Sequence, residues 1–103
     1  MANEVKPLSL VELVADYAAF RKLKTPNKDQ AFKWLCAEMG ELAEADVVGE
    51  QAWVRNNPNK EPSSVADEIG DVLMMLTRYA AAQGLDPLEC MKIKWQRKGW
   101  VEQ

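Results

Sequence analysis

The stretch from Ser64 to Leu76 reads SVADEIGDVLMML, and between Ile69 and Leu76 its only charged residue is Asp71. Its period is helical. On a helical wheel Ile69, Leu73, Leu76 and Ala80 cover one side, while Met74, Met75 and Ala82 flank Asp71 on the other. A helix that is apolar all round is buried all round. With 103 residues the chain makes one domain spanning 1–103, and the three other helices read below can hardly enclose this one completely. The expectation is an all-α, four-helix-type bundle completed by homo-oligomerisation, as a dimer or tetramer.

Working outward, Ser63 or Ser64 caps this helix, which runs to Gln83 and stops at Gly84. The first helix starts at Ser9, where Ser9 and Glu12 form a capping box, and ends near Leu23. A second begins at about Asn27, with Gln30 three residues on, and runs to about Val48. The segment from Glu50 to Pro62 reads as a loop on its Asn, Pro and charge content. The last helix opens with Asp86-Pro87-Leu88-Glu89 and closes near Gly99. No period-2 strand pattern, repeat or low-complexity segment is visible.

Two acidic pairs stand out, Glu38-x-x-Glu41 and Glu68-x-x-Asp71, each inside an apolar helical stretch. Residues three apart share a helical face, with Cβ atoms roughly 5–6 Å apart. Two such helices packed together converge four carboxylates. At an effective dielectric of about 20, two of these charges 4 Å apart repel by about 4 kcal/mol. A divalent cation relieves that repulsion, so Glu38, Glu41, Glu68 and Asp71 are read as metal ligands. Glu44 and Asp46 project elsewhere and are read as solvated charges. The competing explanation for Asp71 is a buried salt bridge, with Arg78 as the candidate partner. The chain has no histidine, so any bound metal takes oxygen ligands, which suits Mg²⁺ or Mn²⁺ and not zinc.

Lys92, Lys94, Arg97 and Lys98 crowd the end of the last helix, with no acidic residue among them. Cations there complement the helix dipole. Beside a carboxylate-held metal they also suit a polyphosphate, so Lys94, Arg97 and Lys98 are candidate phosphate contacts. Trp34 and Trp53 are candidates to stack a base, although Trp34 fits a core position equally well. Cys36 and Cys90 show no metal or redox spacing and are expected to be reduced and buried. A net charge of −3, no basic arm, no apolar run of ~18–20 residues and no targeting segment leave no expected nucleic-acid or membrane partner, and a cytoplasmic location.

The two motifs, separated by 26 residues and set in the words EMGELAEA and DEIGDVLMML, resemble the MazG-like, all-α nucleoside triphosphate pyrophosphohydrolases. The likeness covers roughly Gln30 to Gly99. It implies a Mg²⁺-binding homo-oligomer that converts an NTP or dNTP and water to the monophosphate and pyrophosphate, clearing non-standard or surplus nucleotides. On that reading Glu41 and Glu38 are the catalytic carboxylates, with Glu41 orienting or deprotonating the attacking water. Two segments depart from the commoner family pattern. AFKWLCAE, residues 31–38, lacks the usual histidine, and KIKWQRKGW, residues 92–100, lacks the usual asparagine. A phosphoribosyl-ATP pyrophosphohydrolase-like enzyme and a non-catalytic helical oligomerisation module are the alternatives.

Overall fold

The computed structural model describes residues 9–47, 56, 58, 59 and 64–103. They form four helices and no strand: α1 (Leu10–Phe20), α2 (Lys28–Val47), α3 (Val65–Ala81) and α4 (Pro87–Arg97). The all-α expectation holds. No described helix is long and apolar enough to cross a membrane.

Each start is fixed by a side chain that accepts otherwise orphaned backbone N–H groups. The Ser9 hydroxyl accepts from Glu12 N at 3.1 Å. Asn27 and Gln30 cap reciprocally, with Gln30 N donating to Asn27 Oδ1 at 2.8 Å and Asn27 N to Gln30 Oε1 at 3.2 Å. Ser64, rather than Ser63, caps α3 by accepting from Asp67 N at 3.0 Å. Asp86 does more than its sequence position announced. Its Oδ2 takes the N–H groups of Leu88 and Glu89 at the start of α4, while its Oδ1 accepts from Val11 N at 2.8 Å. One carboxylate therefore ties the first turn of α1 to the first turn of α4.

Three helices end alike, in a Schellman motif whose αL residue is Lys22, Gly84 or Gly99. After α1, Lys22 N donates to Ala19 O and Leu23 N to Ala18 O, so this helix stops at Phe20. The sequence placed that end three residues later. After α4, Trp100 folds back onto Trp95 with ring centres 5.5 Å apart.

The tightest pairing is between α2 and α3. Their contacts run in opposite order: Phe32 meets Tyr79, Trp34 meets Arg78, and Glu38 and Glu41 meet Glu68. The two helices are thus antiparallel. α1 and α4 pack against each other and against α3.

Very little is buried in one chain. Among the described residues Ala31, Ala45, Met75 and Ala80 are the buried apolar ones, joined by Glu68 and Thr77. The hydroxyl of Thr77 donates to Leu73 O at 2.7 Å, which is how a polar group lives at zero exposure. The apolar side of α3 read from the wheel is covered at Ala80 and open elsewhere: Ile69 is 53% and Leu73 43% exposed, with Leu76 beside them. On α1 the same holds for Leu13, Tyr17 and Phe20. The Cα radius of gyration is 17.2 Å, against about 13 Å for a compact chain of this length. The cysteine expectation is corrected on burial: both thiols are free, but both are exposed.

Candidate metal centre

The antiparallel register of α2 and α3 brings three of the four expected carboxylates together. One oxygen each from Glu38, Glu41 and Glu68 lies within 4.8 Å of the other two. Glu68 is only 5% exposed, Glu38 is half-buried and Glu41 is open to solvent. Both Glu38 Oε2 and Glu68 Oε2 are buried without a hydrogen-bond partner. At this spacing each ionised pair repels by roughly 3–4 kcal/mol for an effective dielectric near 20. An unpartnered buried acceptor adds about 1–3 kcal/mol or more when charged.

Protonation is the chain's own relief. The Glu38 carboxyl is pushed up from its ordinary 4.5 to about 7. Burial is the main cause, followed by its hydrogen bond to the Glu41 carboxyl and the charges of Glu41, Asp71 and Glu68. Asp71 stands outside the three-residue set and is exposed, yet its charge is felt at Glu38. The apolar surroundings expected for Asp71 are not what a single chain provides.

Nor does a cation among the described residues neutralise the cluster. Arg78 turns away from Asp71, donates to Lys24 O at 2.5 Å and lies over the Trp34 ring. Among the described residues no lysine or arginine forms an ion pair with Glu38, Glu41, Glu68 or Asp71. The salt-bridge explanation for these carboxylates therefore loses its candidate. What remains among the described residues is an all-oxygen donor set between α2 and α3, chemistry that matches a hard divalent cation.

The other expected site residues fall in different places. Trp34 lies on α2 one turn before Glu38 and is 43% exposed. Lys94, Arg97 and Lys98 are exposed on α4, and Lys92 is engaged by Glu102 at 3.0 Å. Trp53 lies outside the described residues. A half-open pocket of about 150 Å³ lies elsewhere, between α1, α3 and the turn at Thr25 and Pro26. The Arg78–Trp34 stack was missed by sequence reasoning. The seven-residue spacing that puts Arg78 on the face of Asp71 carries no signal of Trp34, which lies on another helix.

Comparisons with protein-family models, with curated proteins and with solved structures found no match to this chain.

Proposed function

We propose that this chain is a divalent-metal-dependent nucleoside triphosphate pyrophosphohydrolase, acting on an NTP or dNTP to give the monophosphate and pyrophosphate. The observation that carries this reading is the buried, unpartnered Glu68 oxygen facing Glu38 and Glu41. Three carboxylates drawn together with no protein cation among the described residues make a poor structural element and a good ligand set. The resemblance of both motif helices to the MazG-like enzymes supplies the reaction.

Glu38, Glu41 and Glu68 would hold Mg²⁺ or Mn²⁺, with Asp71 alongside. When bound, such an ion binds phosphate oxygens and offsets the charge that develops on them. Glu41, the solvent-facing member, orients the attacking water and takes its proton as the water oxygen bonds to the α-phosphorus. The bond from that phosphorus to the bridging oxygen breaks, and pyrophosphate leaves with the electron pair. Lys94, Arg97 and Lys98 supply positive charge for the outer phosphates.

The same reading makes the enzyme a homo-oligomer, a dimer or tetramer. Its support is the partly open face of α3, because Ile69, Leu73 and Leu76, each about half exposed, forfeit roughly half of the 1.5–3 kcal/mol that full burial of such a side chain is worth. A second copy covers that face and offers a route for α4 cations to reach a neighbour's carboxylates. A cytoplasmic setting in nucleotide-pool clearance goes with two free thiols.

The test is pyrophosphate release over canonical and modified NTPs and dNTPs, with phosphoribosyl-ATP included, in Mg²⁺ or Mn²⁺. Metal-dependent release from at least one nucleotide is expected. Release from none of them would overturn the reading.

A further inference from the structure

Away from the carboxylates, the pairing of α2 with α3 sets a guanidinium over an indole. Arg78 Cζ is 5.7 Å from the centre of the Trp34 ring, within the range of a cation–π contact. Its Nη2 donates to the Lys24 carbonyl at 2.5 Å, and Nη1 sits 3.9 Å from the Met75 sulfur. No carboxylate among the described residues pairs with it. Asp71, on the same face, lies two turns away, about 10.5 Å along the axis. This arginine is spent on holding a ring.

The ring it holds is well placed. Trp34 precedes Glu38 by four residues, so it shares that helical face at about 6 Å along the axis. If Glu38 and its neighbours fix the α-phosphate, one sugar's length carries the base to the level of Trp34. Arg78 lies over one face of the indole, and the ring remains 43% exposed. Stacking on an aromatic face needs no matching hydrogen bonds and tolerates any base.

We propose that Trp34 is the stacking platform for the substrate's base and that Arg78 is a positioning residue fixing the orientation of that platform. This rests on the pyrophosphohydrolase reading above and deepens it. The test compares nucleotide with inorganic tripolyphosphate, which presents phosphates and no base. Trp34→Ala is expected to raise the nucleotide KM on the order of 10-fold, with the loss falling on KM rather than kcat. Arg78→Met, which keeps the stem, raises it several-fold. Arg78→Lys rescues little, because an ammonium cannot lie flat on the ring. Trp34→Phe restores most of the affinity. Tripolyphosphate binding in Mg²⁺, followed by calorimetry, stays at the wild-type value in all four variants.

Nucleotide KM values that do not move in Trp34→Ala and Arg78→Met overturn this inference while leaving the proposed reaction standing. So does an equal loss of tripolyphosphate affinity, which would mark a structural or phosphate-binding role. A wild-type protein that neither binds nor cleaves any nucleotide overturns both.

Discussion

α3 mixes what an ordinary helix separates: Met75 and Ala80 are buried as apolar residues should be, but so is one carboxylate, and three large apolar side chains are left partly open. One face carries Glu68, a carboxylate at 5% exposure, packed against α2. The other carries Ile69, Leu73 and Leu76, which stand in water. Charge inside and hydrocarbon outside is the costly arrangement on both counts. On the proposed reading each face is completed by something beyond the single chain: a cation for the first, a second copy of the chain for the second.

The largest effect is expected where the carboxylate face is broken. Glu38→Gln or Glu68→Gln removes one ligand and one repelling charge at almost constant shape. Turnover is expected to fall by orders of magnitude in pyrophosphate-release assays. The metal-free melting temperature is expected to hold or rise, because a like charge has left the cluster. A variant that keeps wild-type turnover would detach that residue from the site.

Breaking the apolar face comes next. Leu73→Asp places a charge where the proposed neighbour docks, at a cost of several kcal/mol to the assembly. Light scattering should then move from an oligomer to the 11.6 kDa monomer. A wild-type protein that already runs as a monomer would leave the open face of α3 without its explanation.

A smaller effect is set by pH. The folded chain holds the Glu38 proton more tightly than an unfolded chain does, with a midpoint near 7 rather than 4.5. That proton stabilises the metal-free fold fully below about pH 4.5, and the contribution is lost as pH rises through 7. Melting of metal-free protein should therefore decline from pH 5 to pH 8. Divalent-metal binding should strengthen over the same window, as the competing proton leaves. Glu38→Gln should flatten both trends.

How much of this contrast was legible in the sequence depends on range. The caps at Ser9, Asn27 and Asp86 are local features and are found where the sequence placed them, and Glu38, Glu41 and Glu68 come together, whereas Asp71 stands outside that group. Only the reach of the caps was hidden: Asp86 also binds Val11, 75 residues away. Arg78 was matched to Asp71 by helical spacing alone, whereas tertiary packing offered it an indole and a carbonyl instead. Asp71 and the cysteines were judged from apolar neighbours in sequence. Their exposure depends instead on which faces a single chain can cover. The early end of α1 went unseen because the αL position is filled by lysine at φ 56°, where Gly84 and Gly99 announce the other two ends.

That last difference gives the smallest prediction. An L-residue in the αL region costs roughly 1 kcal/mol or more, and glycine is free of it. Lys22→Gly should raise stability by about 1 kcal/mol in denaturant melts and leave both faces of α3 untouched.

The central claim is that the buried carboxylate face is a cation site. Its most direct measurement is the thermal melting of wild type and Glu68→Gln at pH 8, with and without millimolar Mg²⁺ or Mn²⁺. A ligand at 100 times its Kd stabilises the native state by about 2.7 kcal/mol. The account predicts a clear upward shift for wild type and none for Glu68→Gln. No shift in wild type, or the same shift in both proteins, would contradict it.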